Sequence, residues 1–209
     1  MSISKNSICN LALSRLGNKS SIEDIDSPKK PAEFVFAKWW DASRRLALKE
    51  LMPSFAKTRR KIAKDAETPE FGYSARFAYP SDCIRVLGFG EIKYKQNTYS
   101  IEGGWILTDD YSTDDDDNIY LPLRFVKDIT DTTKYTPEFV EGLSWYLAYV
   151  ANMEITQDLQ KQTLIEKVIN SKKAQSAGID SQESMPIRIN QSKFKLARYS
   201  TDPTITEKL

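Results

Sequence analysis

The chain has 209 residues, 40% of them apolar, with 30 basic against 29 acidic side chains and a formal net charge of +1. That length supports one substantial core or two small domains sharing an interface, and the composition weighs against collagenous, disordered and membrane-embedded classes. Near neutrality there is no global pull toward nucleic acid, so any DNA contact has to be local.

In chain order, the first expected element is a helix over about Ser4–Leu16, with Ile8, Leu11, Ala12 and Leu16 on one face and Gly17 as its stop. No basic n-region followed by an apolar block opens the sequence, so no secretory leader is expected. Ser27-Pro28 or Lys30-Pro31 starts a second helix. There Phe34, Val35, Trp39, Ala42 and Leu46 make the stripe, widened by Phe36, Trp40 and Leu51, and Pro53 ends it.

From Ser54 to Ile129 the period shifts to two. Strand-like pieces are separated by Pro80-Ser81-Asp82, Gly88 to Gly90, Gln96-Asn97 and Gly103-Gly104, and the acidic run DDYSTDDDDN interrupts the series. The last strand alternates Leu121, Leu123 and Phe125 against Pro122, Arg124 and Val126. Thr136-Pro137-Glu138 then signals a helix start, with a side-chain oxygen at the cap and proline in the first turn. This third helix runs to about Ile155 with Phe139, Val140, Leu143, Leu147, Val150 and Ala151 on one side. Thr156 is expected to cap a fourth helix carrying Leu159, Leu164, Ile165, Val168 and Ile169 and ending near Gly178. Residues 179–209 have no sustained period and read as an extended arm.

The fold class expected from this order is α+β. Two N-terminal and two C-terminal helices form a four-helix bundle, burying their apolar faces against each other. The boundaries are 1–53 and 133–178 for the two helical halves, 54–132 for an inserted antiparallel β-rich domain, and 179–209 for the arm.

Chemistry is sparse. There is no histidine, which removes the commonest base near neutral pH, the Ser-His-Asp and Cys-His arrangements, and most zinc sites. Cys9 and Cys83 read as small core residues of a chain kept in a reducing cytoplasm, or in a particle assembled there, with a disulfide between them left open. Leu87 to Ile92, LGFGEI, lacks the third glycine and the helix of a phosphate loop and reads as a turn or bulge. Counting Asp114 as the first position of a calcium loop puts Ile119 and Phe125 where glycine and glutamate are needed, so Asp114–Asp117 reads as a solvated loop tip. Lys57-Thr58-Arg59-Arg60-Lys61 reads as the wet face of a strand, with phosphate contact as the competing reading. In the arm, Arg188, Lys193, Lys195 and Arg198 interleave with Phe194, Leu196 and Tyr199, a pattern that suits docking.

Several segments, in order, resemble one family: SICNLALSRLG (Ser7 to Gly17), SIEDIDSP, WWDASRRLALKELMPSFAKTRRKIA, FAYPSDCIRVLGF, EGGWILTD, LRFVKDITDTTKYTPEFVEGLSWYLAYVAN and SKFKLARYS. Together they resemble the head-to-tail adaptor of short-tailed bacteriophages, often called tail tubular protein A. The Asp-rich loop and the residues after Tyr199 depart from it. The resemblance implies a structural virion protein without enzymatic activity or cofactor. It implies a ring of twelve copies in the neck, between the portal protein and the tail nozzle protein, with DNA passing through the lumen and no membrane contact. It further implies portal docking by the arm through Arg188, Phe194, Lys195, Leu196, Arg198 and Tyr199. The alternative is a DNA-binding module using that basic arm. An enzyme acting on cell-wall polymer through paired carboxylates is the remote third reading.

Overall fold

In a computed structural model, residues 3–90 and 98–183 are described, the last eight by their backbone alone. Helix α1 spans Lys5–Arg15. Ser4 caps it reciprocally: the Ser7 amide donates to the Ser4 hydroxyl at 3.1 Å, and the Ser4 amide donates to the Ser7 hydroxyl at 2.9 Å. Gly17 ends it at φ +69°, and the Gly17 and Asn18 amides close back on the Ser14 and Leu13 carbonyls. The following loop is tied to the helix by two side-chain amides. Asn10 both accepts from the Ile22 amide and donates to its carbonyl, and Asn6 does the same for Ile25 and Glu23.

Helix α2 spans Pro31–Leu51, so the second of the two expected start signals is the one used. One turn, Ser54–Ala56, then feeds seven strands: β1 Lys57–Ala63, β2 Ala75–Ala78, β3 Cys83–Phe89, β4 Tyr99–Glu102, β5 Trp105–Thr108, β6 Ser112–Thr113 and β7 Ile119–Lys127. They form two antiparallel sheets. In the larger, β7 runs between β1 and β3 and also pairs with β6; in the smaller, the order is β2-β5-β4. β6 lies inside the run expected to be only a loop, and Gly88 sits at a register shift between β3 and β7, as a bulge requires. The two sheets enclose a core of Ala75, Phe77, Ile106, Leu121, Leu123 and Phe125.

A second core lies among the helices. α3 (Pro137–Ile155) is capped by Thr136, whose hydroxyl accepts from the Phe139 amide. Its Phe139, Leu143, Tyr146, Leu147, Ala148 and Ala151 are all buried, so the helix is enclosed on most sides and not along one stripe. α1, α2 and α4 (Leu159–Glu183) each pack against α3, and sheet residues Val126, Ile84 and Leu87 join the same core.

The expected four-helix bundle is therefore corrected. The class is α+β, with four helices and two antiparallel sheets among the described residues, but the helices gather around α3 and do not share one seam. α1 has only 11 residues against 21 and 25 in α2 and α4, and the sheet supplies part of the wall. Two broad apolar faces need not meet each other when a central helix and a sheet edge can cover them.

Smaller differences have local causes. α2 buries Phe36, Trp40, Arg44, Ala47, Leu48 and Leu51 and leaves Phe34 and Leu46 exposed, so its inward face is rotated from the expected stripe. Glu33 and Arg44 occupy that inward face because each has partners there: three backbone amides for Glu33, and Asp128, Asp41 and the Ile129 carbonyl for Arg44. Leu11 is exposed while Cys9 and Leu13 are buried. Thr156 closes α3, and it is Asp158 that accepts from the Lys161 amide at the start of α4. In α4, Ile165 and Ile169 are buried, Leu159 and Leu164 are exposed, and the backbone continues past Gly178 to Glu183.

Candidate functional site

The residues from which docking was expected, Arg188, Phe194, Lys195, Leu196, Arg198 and Tyr199, lie outside the described residues. The other sequence candidates can be placed. Asp114 turns its carboxylate inward, accepting from the amides of Asp116 and Asn118, and Asp117 takes φ +60° at the tip. Among the described residues no group of three His, Cys, Asp or Glu side chains is arranged to hold a metal ion, and no helix is long and apolar enough to cross a membrane. Cys9 and Cys83 are both free; Cys9 is buried and Cys83 half-buried. Burial pushes both thiols up, Cys9 to about 12, which leaves neither poised as a nucleophile near neutral pH.

The basic run Lys57–Lys61 forms β1, hydrogen-bonded along one side to β7. Alternation sends its side chains to opposite faces of the sheet. Arg60 lies 5.3 Å from the Phe125 ring and is held by both Asp82 oxygens, at 3.0 and 2.8 Å. Arg59 and Lys61 line the outer face. On that face β7 contributes Tyr120, Pro122 and Arg124, since Arg59 pairs with Arg124 and Lys61 with Pro122 across the ladder. One residue further, Val126 is covered by the helical core; short of it, the helices leave the sheet open. The result is an open cleft of about 410 Å³, walled by Arg59, Lys61 and Arg124 with Gly90, Ser112 and Tyr120 around them. Lys61 rests over the Tyr120 ring at 4.3 Å. Burial lowers the Arg124 pKa from its ordinary value, and the neighbouring Arg59 charge adds to the shift.

A second cleft, about 360 Å³, lies between α2 and β3, lined by Arg45, Lys49, Cys83 and Asp128. Its Asp128 is committed: the buried Arg44 guanidinium donates to one oxygen, and Arg45 donates to the other at 2.8 Å. Burial pushes that carboxyl upward, but Arg44 and Arg45 override it and hold it below the ordinary carboxylate value.

No family model matches the chain, and no curated protein matches it.

Arg124 was not singled out from the sequence, where it reads as one polar residue of an alternating strand. The signal lay in its register. Once β1 is paired with β7, alternation alone places Arg59, Lys61 and Arg124 on a common face. Arg44 and Asp128 were missed for the opposite reason: a charged residue is assigned outward unless its partner, here 84 residues away, is known.

Proposed function

We propose that the protein is a structural head-to-tail adaptor of a short-tailed phage virion. Copies form a ring between the portal protein and the tail nozzle protein, and DNA passes through without sequence-specific contact. The observation that carries this reading is the order and spacing of the resembling segments from Ser7 to Tyr199. Its most telling segment, Leu123 to Asn152, joins the strand at the middle of the larger sheet to the helix around which the others gather. A ring subunit must offer its neighbours two different surfaces, because contacts that close by rotation are heterologous. Exposed apolar side chains such as Phe34, at 57%, and Leu159, at 69%, are the kind of surface such contacts cover.

The test is sedimentation and electron microscopy of the purified protein with and without a portal assembly from a short-tailed phage. Alone it is expected as a monomer or small oligomer; on its portal it forms a closed ring whose copies match the portal symmetry. Absence of association with the portal would sink the reading.

A further inference from the structure

Eight arginines fall among the described residues, and six have an acceptor for the guanidinium. Arg44 and Arg45 meet Asp128, Arg60 meets Asp82, and Arg76 meets Asp65. Arg15 donates to the Ser144 hydroxyl and Arg85 to the Lys49 carbonyl. The remaining two, Arg59 and Arg124, have no acceptor among the described residues, and they stand directly opposite each other across β1 and β7. Like charges at opposed positions, with Cβ atoms about 4.5–5.5 Å apart, destabilise a sheet. Lys61 adds a third positive charge on the same face. Asp114 acts on Lys61 from the rim, so the arginines are the uncompensated pair.

We propose that this cleft binds the phosphodiester backbone of a nucleic acid strand, with Arg59 and Arg124 gripping a phosphate between them and Lys61 meeting a neighbouring one. The two uncompensated guanidiniums, with Lys61 beside them, form a row of positive charge that a polyanion matches along its length and a lone carboxylate does not. Guanidinium forks match phosphate oxygens in plane and in spacing, so arginine at the two opposed positions suits this ligand better than lysine. Stacking on bases needs a free aromatic face, and the Tyr120 ring already carries Lys61. The proposed recognition is of the backbone and indifferent to sequence.

The experiment is fluorescence anisotropy with a labelled DNA strand of about 20 nucleotides, and its duplex, in salt from about 50 to 200 mM. R59Q/R124Q is compared with K19Q/K167Q, which removes the same charge from exposed residues elsewhere. The arginine variant should weaken binding by about tenfold or more and lower the slope of log Kd against log salt by about 1, for the one phosphate that the pair holds. The lysine variant should leave the slope unchanged, and mixed and single-base strands should bind alike. Because a repelling pair is removed, R59Q/R124Q should melt no lower than the parent, which separates lost binding from lost folding. R59K/R124K keeps the charge and should keep the slope while binding less tightly. No binding by the parent at about 50 mM salt, or equal losses in the two glutamine variants, overturns the proposal. So does a change in self-association of R59Q/R124Q with DNA binding intact, which would assign the pair to a contact between copies.

Discussion

Glu33 illustrates how one buried carboxylate can set a loop. Its oxygens accept from the amides of Glu23 at 2.9 Å, Lys29 at 2.8 Å and Lys30 at 2.9 Å, closing the 22–30 connector onto the first turn of α2. These amide bonds, the one from Glu23 foremost, hold its pKa down at about 2. A folded pKa below the unfolded one stabilises the fold above the unfolded value, near 4.5, and that contribution is lost as pH falls toward about 2. Glu33→Gln should lower the Tm at neutral pH and flatten the fall in Tm between those two values; parallel acid limbs for parent and variant would show that Glu33 does not carry the effect. The two thiols make a second, separate comparison. Cys9 has no exposed surface, whereas Cys83 borders an open cleft. One thiol should therefore react with a disulfide reagent in the native protein, the other only on unfolding, and Cys83→Ser should abolish the native reaction. Two native phases of equal rate would contradict the burial of Cys9.

Among the elements, α2 and α3 are in close contact at Gly142, where an added Cβ would come 2.5 Å from the Leu51 side chain. Gly142→Ala sets a gain of about 1 kcal/mol in helix propensity against an overpacking cost of about 1–3 kcal/mol. The buried Leu51 has little room to yield, so a net loss of about 1 kcal/mol is expected, read as a lower midpoint in urea with unchanged slope. A variant as stable as the parent would mean that the helices part without cost. The same pair of helices marks how far periodicity carries. β7 was legible because its alternation holds from Leu121 to Phe125, and the start of α3 because Thr136-Pro137 leaves one reading. α2 was legible as a helix but not in its orientation. With Phe34, Val35, Phe36, Trp39 and Trp40 crowded into two turns, hydrophobicity points in most directions, and the deciding residues are the polar Glu33 and Arg44. Their burial depends on partners brought by other segments. The cleft was half legible for a similar reason: Arg59 and Lys61 stand out on β1, but their union with Arg124 is a fact of pairing.

At the scale of the whole molecule, two cores are joined through the larger sheet, where β3 turns Val86 and Phe89 to one core and Ile84 and Leu87 to the other. β7 sends Leu121, Leu123 and Phe125 between the sheets, while the adjacent Val126 enters the helical core. Two residues on, Asp128 ties the end of the strand to Arg44 of α2, and the Arg44 guanidinium also donates to the Ile129 carbonyl at 3.0 Å. The Tyr135 hydroxyl donates to that carbonyl as well, at 2.8 Å, so the turn leading from strand to helix is held at consecutive points. Removing one partner of a buried ion pair leaves the other without compensation, at a cost of about 3–5 kcal/mol. Arg44 would keep Asp41 and the Ile129 carbonyl, which places Asp128→Asn near the lower end, a fall in Tm of about 6–12 °C for a chain of this size. The consequence for cooperativity is sharper than the consequence for stability. With the tie intact, neither core can open without pulling β7 from the other, so calorimetry should give one endotherm that coincides with the loss of the helical circular-dichroism signal. With Asp128→Asn, the links left are the apolar contacts of Val126, Ile84 and Leu87 and the Arg85 bond to the Lys49 carbonyl, so the coupling should weaken and the endotherm should broaden or split. An endotherm in the variant as sharp as the parent's and merely shifted, or two in the parent, would mean that the ion pair does not govern the coupling of the cores.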